Sequence, residues 1–317
     1  MNKIRLFVAN EPEPIDGVTC WRMYWPLDDL ERTYSDTLEI RYSRGNLIPA
    51  DIYWADVVMC FRPSEPSHLT VLQVAKLLGK KILLDYDDDL TAIPVGHPGY
   101  WKLGTKADIV KQAVSMADMV WVSTEALKKT IAHPNAIVVP NAVYPEILPE
   151  KPADFKNKTA MWAGSDAHRE DADAFKPEYA ALLRVVQRFL WVNFMPTWAT
   201  TVQSQAKIEL SAWIHTHIYF EWIRQNGVVA IWKPLITNQF NECKSNIAWI
   251  TATIAGGVCV TNQAGNRQWE NAVKSLPKTE KEFVSVWEAS AERVRKEYDL
   301  RAWNEVRYRE LLKLTQG

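Results

Sequence analysis

Short apolar, β-branched runs alternate with helix-period segments along nearly the whole chain, and this alternation limits the possible folds more than any other feature. Ile4–Ala9, Leu38–Tyr42, Val57–Phe61, Lys81–Asp85, Met119–Ser123 and Ala136–Val139 read as strands. Between them, Pro66–Leu78, Thr105–Met116 and Thr124–Ile131 read as helices, with Ser67 and Thr124 as candidate N-caps. Such an order predicts a mainly parallel sheet with helices on both faces. From Pro140 to Lys158 the periodicity lapses, and four prolines (Pro140, Pro145, Pro149, Pro152) mark a linker. A second series follows, with strands expected at Thr159–Ala163, Trp191–Phe194, Val228–Ile231 and Val258–Thr261. Its helices are expected around Ala172–Phe189, at Tyr219–Gln225 and at Lys244–Ala255, before two closing helical segments, Lys278–Glu297 and Leu300–Leu314. The chain therefore reads as two α/β units, 1–142 and 143–317, with a ligand cleft between them.

Composition narrows the class. Of the 317 residues 47% are apolar and 24% charged, which excludes a disordered or collagen-like chain. Lys and Arg number 37 against 38 Asp and Glu, so the protein does not live on attraction to a phosphate backbone alone. Cys20, Cys60, Cys243 and Cys259 have no metal-binding spacing and read as reduced, buried thiols of a cytoplasmic protein. The first apolar run meets Asn10-Glu11-Pro12 too soon for a signal peptide, and Ile247–Val260 is too short and too interrupted to span a bilayer. Tryptophan is in excess, 15 against 12 glycines, and serves either as core filler or as stacking platforms for flat ligands.

The most conspicuous local feature is Asp85-Tyr-Asp87-Asp88-Asp89-Leu-Thr91 at the end of a buried strand. Clustered carboxylates repel one another unless metal, hydrogen-bond donors or solvent hold them. The cluster is open to several readings: a phosphatase nucleophile motif (Asp87-x-Asp89-x-Thr91), a metal-dependent nucleotide-sugar site, a loop hydrogen-bonding sugar hydroxyls, or a solvated helix-capping loop. His97 follows in a Gly/Pro-rich loop with Trp101, where an acceptor loop or an ordinary exposed turn is equally expected.

Further motifs follow in order: Asp16-Gly17 with Arg22 and Pro26; Ser123-Thr124-Glu-Ala-Leu127; Pro140-Asn141-Ala142; Trp162-Ala163-Gly164-Ser165 with His168 and Arg169; and Pro234-Leu235-x-x-Asn238-x-Phe240-Asn241-x-Cys243-Lys244-Ser245. Together they resemble the retaining, glycogen-synthase-like superfamily of GT-B glycosyltransferases, closest to small bacterial and phage-encoded types. The resemblance implies an α/β architecture of two Rossmann-like domains facing a cleft, the first on the acceptor side and the second binding the donor. It implies transfer of a sugar from a UDP-, GDP- or ADP-linked donor to a hydroxyl, with retention and without a metal. Asp87, Asp88 and His97 would lie near sugar and acceptor, and Asp16, Arg22 and Trp101 on the acceptor side. Gly164, Ser165, His168, Asn238, Asn241, Lys244, Ser245 and Thr251 would form the donor side. Elementary electrostatics agrees, because a Gly-Ser turn opening a helix and a Lys-Ser pair before another would present N–H groups and positive charge to a diphosphate.

Each residue has a plainer alternative. The plainer readings are a solvated Lys244 at a helix start, a satisfied loop histidine at His168, and an Arg22 that pairs with Asp28 or Asp29. Two departures from the superfamily pattern stand out: Thr251 where a ribose-binding Glu is usual, and Ser165 where an Arg is usual, with Arg169, Lys176 or Lys233 as substitutes. A catalytically silent binding module is the corresponding alternative. For the acceptor, a hydroxymethylated pyrimidine in phage DNA, with the chain in the host cytoplasm, competes with a glycan. The basic run Arg293, Arg295, Lys296, Arg301, Arg307 and Arg309 is the feature that would meet DNA phosphates.

Overall fold

The computed structural model describes residues 3–10, 17–43 and 49–316. Strands β1 (Ile4–Val8), β2 (Leu38–Tyr42), β3 (Val57–Phe61), β4 (Lys81–Tyr86), β5 (Met119–Val122) and β6 (Ala136–Val138) form one sheet in the order β2-β1-β3-β4-β5-β6. Strands β7 (Thr159–Ala163), β8 (Arg188–Val192), β9 (Lys207–Ser211), β10 (Val228–Trp232) and β11 (Val258–Val260) form a second, ordered β11-β10-β7-β8-β9. Every pairing is parallel. Helices cover both faces of each sheet, so inner strands carry no polar side: β3, Val-Val-Met-Cys-Phe, is buried at all five positions. β9 lies at an edge and reads Lys-Ile-Glu-Leu-Ser, with charge turned to solvent.

Boundaries differ from expectation where apolar residues fit either period. The helix expected through Phe189 is two, Arg169–Ala174 and Lys176–Leu183, with Pro177 in the first turn of the second. β8 starts at Arg188, earlier than the expected strand. Thr124 caps its helix, accepting the Leu127 N–H at 3.1 Å, whereas the Pro66–Leu77 helix is capped by Glu65 rather than Ser67. A π-turn at Cys20–Tyr24 runs directly into the helix Trp25–Thr33.

Two connections join the sheets. One is the proline-marked segment after β6; the other leads into the last helix, Leu300–Gln316, which packs on the first sheet. There Tyr308 stacks on Tyr34 with ring centroids 3.7 Å apart, and Asn304 donates to the Pro26 carbonyl and to Asp29. The connections are themselves bonded: Val143 N–H donates to the Tyr298 carbonyl, and Leu300 N–H to the Val143 carbonyl, both at 2.9 Å.

Most of the tryptophan excess is core. Trp121, Trp162, Trp191 and Trp249 are all fully enclosed, and Trp162 and Trp191 pack against one another. No helix among the described residues is long and apolar enough to cross a membrane.

Candidate functional site

Strand order reverses between β1 and β3 in the first sheet and between β7 and β10 in the second. Parallel α/β sheets bind ligands at the carboxyl ends of strands beside such reversals. The two reversals face each other across a cavity of about 390 Å³, walled by Asp87 and Asp88 on one side and by Gly164, Lys233, Lys244 and Ser245 on the other. Trp25 and Trp213 also line it.

The carboxylate cluster on the first wall is neutralised from within. Asp85 accepts from Nε and Nη2 along one edge of the fully buried Arg22 guanidinium, at 2.9 and 2.7 Å. Asp87 faces the Arg62 guanidinium with both oxygens, while Asp89 accepts from Thr91 and from Gln239 of the second domain. Asp88 is shared, 3.1 Å from Arg62 and 3.4 Å from Lys244 Nζ. Burial alone would raise the Asp88 carboxyl; Lys244 and Arg62 outweigh it and hold it at about 2. Arg62 directly follows β3 and has a left-handed backbone, φ 46°, a strain seen chiefly where function or tight packing demands it. Among the described residues, no group of three or more His, Cys, Asp and Glu side chains is arranged to hold a metal ion.

The second wall is cationic. The helix Ile247–Ile254 begins without a side-chain cap, and Ile247 and Ala248 line the cavity, so its positive end opens there. Lys244 and Ser245 immediately precede it. Gln268 holds the Lys244 carbonyl at 2.6 Å, and Asn141 Nδ2 donates to Ser245 Oγ at 2.8 Å, leaving the serine hydroxyl hydrogen free to point elsewhere. At the end of β10, Lys233 Nζ donates to His168 Nε2 at 3.3 Å, and His168 Nδ1–H donates to Asp171 at 3.1 Å. Burial and the nearby Lys233 charge depress His168 to about 3, so its ring is neutral. Burial, then Lys244, lowers Lys233 to about 8, the signature of a cation wanting an anion.

Not every expected residue reaches the cavity. Arg22 points beneath the acidic loop, because Asp85 and the Val139 carbonyl take its donors, so it does not face the cleft and does not pair with Asp28 or Asp29. Trp101 is 77% exposed and stands off the cavity, whereas Trp162 lies wholly in the core beneath Gly164. His97 packs edge-on against Phe240 of the second domain and accepts the Gly99 N–H at 3.0 Å, bordering the site without lining it. Asn238 and Asn241 shape the preceding loop: Asn238 caps Gln239–Glu242, and Asn241 donates to Asp171 and to the Ile236 carbonyl. Ser165 Oγ accepts the Ala167 N–H at 3.3 Å, so its hydroxyl oxygen caps the short helical turn that follows. Thr251 lines the cavity with no carboxylate in place of the usual Glu. Of the three candidate substitutes for the missing Arg, only Lys233 lines the cavity; Arg169 pairs with Asp166, and Lys176 lies near Asp173. Asp16 lies outside the described residues.

Arg62 and Trp213 belong to the site without having been singled out from sequence; Asn141, named there only within its motif, joins it through Ser245. Arg62 had one usable signal, its place immediately after a predicted strand of a doubly wound sheet.

No protein family matches the chain, and no curated protein matches it in sequence. Solved structures do. Anabaena HepE, solved with UDP and glucose, aligns with a TM-score of 0.68 at 10% identity, over 98% of this chain and 99% of that one. AviGT4, a glycosyltransferase of avilamycin A biosynthesis, gives 0.60 at 12% identity over 100% and 99% of the two chains. The catalytic domain of Arabidopsis thaliana starch synthase IV, bound to ADP and acarbose, gives 0.56 at 8% identity over the whole of both. The chain has the GT-B fold: two Rossmann-like α/β domains facing a cleft.

Proposed function

We propose that the protein is a glycosyltransferase that moves a sugar from a nucleotide sugar to a hydroxyl acceptor. The observation that carries this reading is the cationic end of the cleft: Lys244, Lys233 and an uncapped helix start converge on one cavity, with Asp88, among the described residues, the one partly exposed carboxylate beside them. In such a transfer the departing nucleoside diphosphate gains negative charge, and fixed cations and N–H dipoles stabilise it without reorganising. Lys244 and Lys233 would hold the phosphates, with Ser245 and the helix start at Ile247 adding hydrogen bonds. Gly164 gives the phosphates close approach to the backbone. Asp87 and Asp88 form the opposite wall, with His97 at its border, where sugar and acceptor would meet. HepE and starch synthase IV were solved with UDP and ADP, which suits a nucleoside diphosphate here.

For the acceptor, a saccharide or other small hydroxyl compound fits better than DNA. Much of the basic run that would meet a phosphate backbone is engaged: Arg307 is buried, Arg301 pairs with Glu146, and Arg293 pairs with Glu297.

The test is direct titration with UDP, GDP, ADP and their sugar conjugates, followed by assay of nucleoside diphosphate release with hydroxyl acceptors. Lys244→Ala is expected to weaken diphosphate binding by about 10- to 100-fold, the worth of a charge-assisted contact. Absence of binding by every nucleotide tried would refute the reading.

A further inference from the structure

We propose that Asp88 is an internal stand-in for the donor's phosphates: it occupies the cationic end of the cleft when no donor is bound and is displaced when one enters. This rests on the nucleotide-sugar reading above. Four carboxylates crowd the end of β4 and the loop after it, and three of them are committed away from the phosphate cations. Asp85 is sealed against Arg22, Asp87 against Arg62, and Asp89 against Thr91 and Gln239. Asp88 alone of the four reaches a cation of the other domain, Lys244 at 3.4 Å, and it keeps 20% of its side chain exposed. Its hold on the cationic end is partial, because Lys233, the second cation there, is bonded to His168 and not to Asp88. One carboxylate therefore leaves the site under-neutralised, whereas a diphosphate carries more charge and can meet Lys244, Lys233 and the helix start together. Both anions want Lys244, so their occupancy competes, and the observed donor affinity is the donor's own minus the cost of evicting Asp88.

The contact spans the cleft. Donor entry therefore releases an ion pair between the domains, and Arg62, 3.1 Å from Asp88, is there to keep the displaced carboxylate. Removing the charge should make nucleoside diphosphate bind more tightly, contrary to what is expected of a residue that grips the donor.

Isothermal titration of UDP, GDP and ADP into wild type, Asp88→Asn, Lys244→Ala and the double variant tests this at fixed ionic strength, with Asp88→Ser as the substitute should the asparagine variant fail to fold. The expected result is a Kd lowered about fivefold or more by Asp88→Asn, a coupling of the size seen for partly buried ion pairs, and no such gain in the Lys244→Ala background. Equal or weaker binding by the Asp88 variants, with wild type binding normally, overturns the proposal and leaves the nucleotide-sugar reading intact. Tighter binding that persists without Lys244 also overturns it. Wild type binding none of the three overturns the donor reading itself.

Discussion

Arg22 and Asp85 form an ion pair at 2.7 Å with neither side chain accessible to solvent, directly beneath the loop that carries Asp87 and Asp88. The pair ties the π-turn after β1 to the end of β4 and so sets the height of the acidic wall. Deleting one partner strands the other charge in a dry interior, a change worth about 3–5 kcal/mol of stability. Arg22→Ala should lower the denaturation midpoint accordingly, whereas Arg22→Met combined with Asp85→Leu should lose much less than the two single changes added together. Urea melts of the four proteins check this; additive losses would contradict the pairing.

Lys233 should give donor binding an alkaline limb. Its ammonium, lowered by burial and Lys244 to about 8, is charged below that pH and loses its proton above it. Affinity for a nucleoside diphosphate should therefore hold below pH 8 and fall as pH rises through it. His168, lowered to about 3, stays neutral throughout and adds no limb near its ordinary value. Binding measured from pH 6 to 10 in wild type and Lys233→Arg checks the assignment, because arginine keeps its charge and should flatten the curve.

Gly164→Ala should harm both folding and binding. A Cβ built there would lie 2.9 Å from Cη2 of Trp162 and 3.3 Å from Cδ2 of His168. The indole is locked in the core, so the loop must shift instead, at a cost of about 1–3 kcal/mol for overpacking. Thermal melts and nucleotide titration of the variant should fall together.

Trp213, 49% exposed at the cavity rim, is a flat surface free to stack on a ligand ring. Trp213→Ala should weaken nucleotide binding by about 1–3 kcal/mol with little change in melting temperature, if the ring stacks on the base. Unchanged affinity for UDP, ADP and GDP would remove this residue from the site.

The alternating pattern carried the fold well. Ten of the eleven strands among the described residues follow from it: inner strands covered on both faces are continuously apolar, and the edge strand β2 still buries Leu38 and Ile40 in alternation. β9 escaped since an edge strand with Lys207 and Glu209 has no such run. At the site, Lys244, Ser245, Gly164 and Thr251, the positions the resemblance pointed to, all line the cavity. The placement of Arg22 was not legible in the sequence, since whether a side chain turns into a cleft or under it depends on a partner 63 residues away, Asp85. Arg62 was missed for the same reason: it acts through a residue remote in sequence, Asp87.

The hydrogen bonds of Val143 with Tyr298 and Leu300 lace together the two strands of chain that pass between the domains. A pair of halves held by two separate straps could slide or twist in several ways; held by one stitched seam, they can swing like a book about its spine. Lys244 lies close to that spine, since Asn141 donates to Ser245 Oγ and Asn246 to the Tyr298 hydroxyl, both at 2.8 Å. Cutting the chain after Tyr298 would unpick that spine and strip Leu311 and Leu314 from the first sheet's core, so the last helix serves the opening of the cleft as much as the folding of the domain it covers.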